Sequence, residues 1–203
     1  RNSMCSVRTR IWQDVDHDRC GVVPHLMDPD FGFARYAENV LTKPQITAWR
    51  TGRVKAVGSK TAPELYAAHL SQREAAQILS NFFYDVRLKS RIELRAADSM
   101  PPRYIAAYAQ LVKSVFGSPA ALQNVLRHYA GITTLDITTA KLAVCKDGFN
   151  ALAYGKPISS ELTWLLMQAR SRTPSQEERA LLDPFMALVM KRKTIRETEN
   201  YNE

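Results

Sequence analysis

Glu93 and Arg95 stand two residues apart in a segment, residues 86–95, whose alternation is regular from end to end. Val86, Leu88, Ile92 and Leu94 fall on one side, and Arg87, Lys89, Arg91, Glu93 and Arg95 on the other, which is the period of a β-strand. Four cations therefore flank one carboxylate over nine residues, an uncomfortable arrangement unless an anion lies across them. Phosphoryl transfer has this need: a carboxylate holds Mg2+ against phosphate oxygens, and a guanidinium balances the charge that develops on the transferred group. Glu93 suits the metal-binding part and Arg95 the second, with Arg87, Lys89 and Arg91 placed to meet nucleotide phosphates. The same pattern also describes the solvated outer face of an edge strand, where cations discourage aggregation.

A second group lies near the start. Residues 7–13 read as a strand, which would project Arg8, Arg10 and Trp12 from one face and offer two guanidiniums and an indole to a carboxylate ligand. An ordinary exposed face partly covered by a Trp is the plainer alternative. Asp14, Asp16 and Asp18 have the alternate spacing of a calcium loop, but Arg19 stands at its sixth position and His25 at its twelfth, so both the turn and the bidentate ligand are missing. A loop held by local side-chain-to-backbone hydrogen bonds is expected instead. His17, His25, His69 and His128 show no metal-ligand spacing and read as structural or exposed.

These residues must be positioned by a chain that reads as strands first and helices second, with the change near Asp98. Before it, a short helix is expected over residues 33–41, a hairpin from residues 46–49 and 53–57 around Thr51-Gly52, and helices over 63–69 and 71–81. After it, Pro101-Pro102 opens a helix that ends at Gly117, and Ser118 caps another with Pro119 at its first position. A further helix carries Leu162, Leu165, Leu166 and Ala169. Thr173, Pro174 and Gln176 start the last, which Pro184 should interrupt.

With 203 residues, 45% hydrophobic and 24% charged, the chain belongs to the globular class. A net charge of +8 attracts anions, but the cations are scattered apart from Lys191-Arg192-Lys193, and no nucleic-acid motif accompanies them, which argues against nucleic acid as partner. Cys5, Cys20 and Cys145 fit neither a disulfide framework nor a zinc site, so a reducing, cytoplasmic setting is expected. No apolar run is long enough to span a membrane. The chain begins at Arg1 without an initiator Met, and we expect a processed chain, a fragment or one half of a split protein.

Residues 7–21, VRTRIWQDVDHDRCG, followed by Phe31-Gly32-Phe33 and Tyr36, resemble a segment of the plant-type and bacterial glutamate–cysteine ligases. DVRLK at 85–89, IELRAAD at 92–98 and LQNVL at 122–126 resemble further blocks of that family in the same order. The resemblance implies an α+β chain with the antiparallel sheet of a glutamine-synthetase-like catalytic fold, present in part over residues 1–156, and a helical tail over 157–203. It implies an ATP- and Mg2+-dependent ligase that activates the γ-carboxylate of glutamate as an acyl phosphate for attack by the amine of cysteine. Glu93 then resembles a metal-binding carboxylate, Arg95 the arginine facing the transferred phosphate, Arg8 and Trp12 substrate-pocket residues, and Trp49 an aromatic lining the cysteine pocket. The family usually has Tyr at that last place, which leaves the acceptor amine open. Family members also carry a Glu-rich half before this segment, so a second chain or an amino-terminal segment is expected to complete the metal site. Ligation of another amine or acid, and a non-catalytic subunit that keeps the fold, are the alternatives.

Overall fold

A computed structural model describes residues 5–66 and 69–199. They form two compact units, one of residues 8–97 and one of residues 5–7 with 98–199. Together they are α+β: many helices with four two-stranded sheets.

The first unit runs through α1 (Val7–Val15), β1 (Cys20–Gly21), α2 (Phe33–Leu41), β2 (Thr47–Arg50), β3 (Arg53–Ala56), α3 (Ala62–Leu65), α4 (Gln72–Ser80), β4 (Phe83–Tyr84), β5 (Val86–Leu88) and β6 (Ile92–Leu94). β1 and β4 pair in parallel, whereas β2–β3 and β5–β6 are antiparallel hairpins. Its core gathers Val23, Tyr36, Val40, Ala62, Ile78, Phe82 and Tyr84. The first hairpin is tied to α4 by a buried polar network. Asn81 accepts from the Thr47 backbone N–H at 3.0 Å and donates to Gln45 Oε1 at 3.0 Å, to the Thr47 carbonyl at 2.8 Å and to the Gln77 carbonyl at 3.1 Å. The Asp-rich loop behaves as its composition implies: Asp16 Oδ1 accepts from the backbone N–H groups of Asp18 and Arg19, both at 3.1 Å.

Two readings of the sequence are corrected here. Residues 7–13 are not a strand but most of α1. Their apolar members Val7 and Ile11, continued by Val15, recur every four residues, and that helical spacing outweighs the short alternation of charge. Residues 86–95 are not one strand but two, turned back at Lys89–Arg91, where the Lys89 N–H donates to the Arg91 carbonyl at 2.9 Å. Because Val86 pairs with Leu94, Arg87 with Glu93 and Leu88 with Ile92, the division into two faces survives the turn. The burial does not follow it: Arg87 is 7% exposed, whereas Ile92 is 68% exposed. The helix expected over 63–69 covers Ala62–Leu65, and residues 67 and 68 lie outside the described residues.

The second unit contains α5 (Pro102–Phe116), α6 (Pro119–His128), α7 (Thr134–Asp147), a 3-10 turn (Gly148–Asn150), the hairpin β7 (Leu152–Ala153) and β8 (Lys156–Pro157), α8 (Ile158–Ser171), α9 (Gln176–Ala180), α10 (Asp183–Lys191) and α11 (Ile195–Thr198). Val115, Leu166, Ala169 and Leu182 form its core, so helices on both sides of residue 157 share one interior. Ser118 accepts from the Ala121 N–H, as a cap should, and Pro184 opens α10 where the chain breaks from α9. The cap of α9 is Ser175. Thr173, expected at that start, is buried and bonds Gln110 and Ser114 instead. His128 is structural: it stacks on Trp164 at 3.5 Å and meets Glu161 Oε2 at 2.9 Å.

Candidate functional site

The site grows from α1 and the β5–β6 hairpin. In a helix, residues four apart share a face, so α1 presents Arg8 and Trp12 together and turns Arg10 away into solvent. Trp12 stacks on Phe83 of β4, with ring centroids 5.4 Å apart and planes at 22°. Around this aromatic pair stand three guanidiniums. Arg8 lies 5.6 Å and Arg95 5.9 Å from the Trp12 ring, while Arg95 lies 5.5 Å and Arg87 5.8 Å from that of Phe83. Arg8 Nη2 also donates to the Arg95 carbonyl at 3.0 Å, which fixes α1 to the residue that follows β6.

One carboxylate ties two of these guanidiniums together. Glu93, directly across from Arg87 in the ladder, accepts from Arg87 Nε at 2.8 Å and Nη2 at 3.1 Å, and from Arg95 Nη1 at 3.0 Å. The hydrogen bond from Arg87, with that from Arg95, holds the Glu93 carboxyl below its ordinary range despite some desolvation, so it is ionised at neutral pH. Arg87 spends its remaining nitrogen on the Phe82 carbonyl at 2.9 Å. Arg95 Nε is buried and bonds nothing. A buried guanidinium N–H without a partner, where three guanidiniums gather at two aromatic rings, is a donor that an anion could satisfy.

The hairpin and α1 thus assemble Arg8, Trp12, Arg87, Glu93 and Arg95. The other candidates stand apart from that group. Arg10 is exposed, as are Lys89 and Arg91 at the tip of the β5–β6 turn. Trp49, on β2, lies under the Arg73 guanidinium at 4.5 Å and donates its backbone N–H to the Tyr66 hydroxyl at 2.9 Å. Sequence reasoning missed Phe83, around which the guanidiniums gather; the aromatic run Phe82-Phe83-Tyr84 just before the hairpin was its one available signal. It also missed Arg73, whose link to Trp49 crosses from α4 to β2.

Among the described residues no group of three or more His, Cys, Asp or Glu side chains could hold a metal ion. Glu93 offers both oxygens to guanidiniums, so the described residues do not by themselves fit Mg2+. The arginine group does fit phosphate or carboxylate oxygens.

The family profile described as Glutamate-cysteine ligase family 2 matches residues 1–185. Chloroplastic glutamate–cysteine ligases of Brassica juncea and Arabidopsis thaliana are 31% and 30% identical to this chain over 133 residues, which is 62% of this chain and 26% of each relative. A third, from Medicago truncatula, is 29% identical over the same length. The chain spans about a quarter of the length of the curated relatives it matches.

Proposed function

Because the chain belongs to the glutamate–cysteine ligase family 2, we propose that it supplies the acid- and phosphate-holding part of an ATP- and Mg2+-dependent carbon–nitrogen ligase, one that joins the γ-carboxylate of glutamate to the amine of cysteine. The observation that carries this reading is the gathering of Arg8, Arg87 and Arg95 at the Trp12–Phe83 pair, with Arg87 and Arg95 bonded to one carboxylate and Arg95 Nε buried without a hydrogen-bond partner. When bound, ATP supplies the phosphoryl group that turns a carboxylate into an acyl phosphate with a good leaving group.

The chain's own residues bind and orient. Arg8 and Arg95 present guanidiniums over the Trp12 face, where a planar carboxylate can be gripped while the ring excludes water from one side. Arg95 Nε, buried without a partner, would donate to an anion held there. Glu93 positions both Arg87 and Arg95; a metal ion touching it would draw its other carboxylate ligands from outside the described residues. Lys89 and Arg91, exposed at the hairpin tip, are placed for the outer phosphates. Trp49 with Arg73 forms a separate aromatic–cation surface suited to the acceptor amino acid.

The test is ADP formation by the chain with and without the remainder of a family polypeptide, across glutamate with cysteine and other amines. ADP release that needs both glutamate and cysteine, and that drops on the order of a hundredfold in Arg95→Ala, is the expected result. ADP release that never appears with any complement would assign the chain to a non-catalytic subunit.

A further inference from the structure

Buried polar atoms without hydrogen-bond partners are rare, because each one loses its hydration on folding and gains nothing in return. Among the described residues two side-chain atoms stand so, Arg95 Nε and Gln13 Oε1. They are complementary in kind: a guanidinium N–H can only donate, and an amide oxygen can only accept. They also flank one indole. The Arg95 guanidinium stands 5.9 Å from the Trp12 ring, and Gln13 is the next residue of α1. Arg8, Thr9, Trp12 and Gln13 are partly buried whereas Arg10, Ile11, Asp14 and Val15 are exposed, so Gln13 belongs to the inward stripe of the helix along with Arg8 and Trp12. A ligand that meets both atoms carries an anion and a hydrogen-bond donor a few bonds apart.

We propose that Gln13 is a specificity-determining residue, which takes the α-ammonium of a zwitterionic amino acid on its amide oxygen while the guanidiniums at Trp12 take the α-carboxylate of the same molecule. The α end of an amino acid has this pairing built in, since a single carbon joins its carboxylate to its ammonium. Phosphate ions and simple dicarboxylates offer Arg95 an acceptor but leave Gln13 Oε1 bare. An ammonium brought among guanidiniums needs an acceptor of its own, and Glu93 already gives both oxygens to Arg87 and Arg95. Gln13 supplies that acceptor. The identity of the amino acid as glutamate rests on the proposed function; glutamate is then held by its α end, with its γ-carboxylate left for activation.

The experiment is calorimetric titration of the whole 203-residue chain with glutamate, with glutarate, which lacks the ammonium, and with 2-hydroxyglutarate, which has a hydroxyl in its place. Glutamate is expected to bind about tenfold or more tighter than glutarate, the scale of one hydrogen bond to a charged group. Gln13→Leu should weaken glutamate alone and bring the two affinities together, whereas Arg95→Ala should weaken both. Because Leu also removes a buried acceptor that nothing satisfies, the ligand-free Gln13→Leu chain should melt no lower than the parent. A preference for glutamate that survives Gln13→Leu overturns the inference and leaves the proposed function standing. Equal losses for glutamate and glutarate with a lower melting temperature overturn it too, since they mark a Gln13 that only props Arg95 in place. So does 2-hydroxyglutarate bound as tightly as glutamate, which would put a neutral donor where the ammonium is assigned. Binding of none of the three acids removes the acid-holding reading itself, and the role of Gln13 with it.

Discussion

A carboxylate that already accepts three guanidinium N–H bonds has its role largely decided before any ligand arrives. Replacing Glu93 by Gln keeps the shape but removes the charge that Arg87, at 7% exposure, relies on. Breaking a buried pair costs about 3–5 kcal/mol, but the Glu93 side chain is 32% exposed and solvent screens part of the loss, so about 1–2 kcal/mol is expected from urea unfolding at neutral pH. If Glu93 positions Arg95, this variant also loses glutamate affinity in calorimetric titration; unchanged affinity with lost Mg2+ dependence of turnover would favour direct metal ligation. The pH dependence has a fixed sign. Glu93 has a folded-state pKa below its unfolded value, so its contribution is complete above roughly pH 4.3 and fades as pH falls through the lowered folded value. The Gln variant should therefore show a flatter acid limb of stability than the parent, and equal slopes below pH 4.3 would remove the pair from the account. At this scale the sequence was informative about type and uninformative about partners. Glu93 with Arg95 was visible in the strand alternation, because neighbours two apart must share a face. Phe83 was not, because its contacts come from α1, some seventy residues earlier in the chain.

Elements were legible where one periodicity dominated. α2 has the bounds its pattern predicts, and the β2–β3 hairpin sits around Thr51-Gly52, where positive φ at both residues fits a tight turn. α1 was misread because a nine-residue segment with charges at alternate positions and apolar residues every fourth one satisfies two templates at once, and tertiary packing of Trp12 on Phe83 chooses between them. The β5–β6 turn was missed for a related reason: a turn that preserves face parity leaves no mark in an alternation pattern. The clearest element-scale prediction concerns the join of β2 to α4. Asn81 is 3% exposed and serves Gln45, Thr47 and Gln77, so Asn81→Leu takes a partner from the Thr47 N–H, the Gln45 amide oxygen and the Thr47 carbonyl, while the Gln77 carbonyl keeps the Ser80 hydroxyl. Each buried group left unsatisfied costs about 1–3 kcal/mol, with relaxation recovering part, so a loss of about 2–4 kcal/mol is expected in chemical denaturation. Exposing the β2 edge should also speed amide exchange at Thr47. A variant as stable as the parent would mean that water replaces the network without penalty.

For the molecule as a whole, three ordered sequence blocks pointed to the family, and the profile match over residues 1–185 extends well past the last of them. The helices after residue 130 were only partly foreseen, since α7 mixes apolar and polar residues around its circumference and leaves little periodic signal. The net charge of +8 could be read directly, but not whether it is a diffuse property or one focused at a site. The two cases make different predictions for anion binding. A diffuse field gives weak binding that salt abolishes and that no one residue controls. A focused site built from Arg8, Arg87 and Arg95 binds with a defined stoichiometry and stabilises only the folded state. Inorganic tripolyphosphate at about ten times its dissociation constant should then add about 1.4 kcal/mol, which raises the melting temperature of a chain this size by roughly 3–6 °C. Arg8→Ala and Arg95→Ala should remove most of that rise while leaving the ligand-free melting temperature within a few degrees. Replacing Lys191, Arg192 and Lys193 by Gln, which takes away three positive charges where each arginine variant takes one, should change it little. A rise lost equally in the lysine–arginine triple variant and in the arginine variants would show that net charge, and not the group gathered around Trp12 and Phe83, holds the anion.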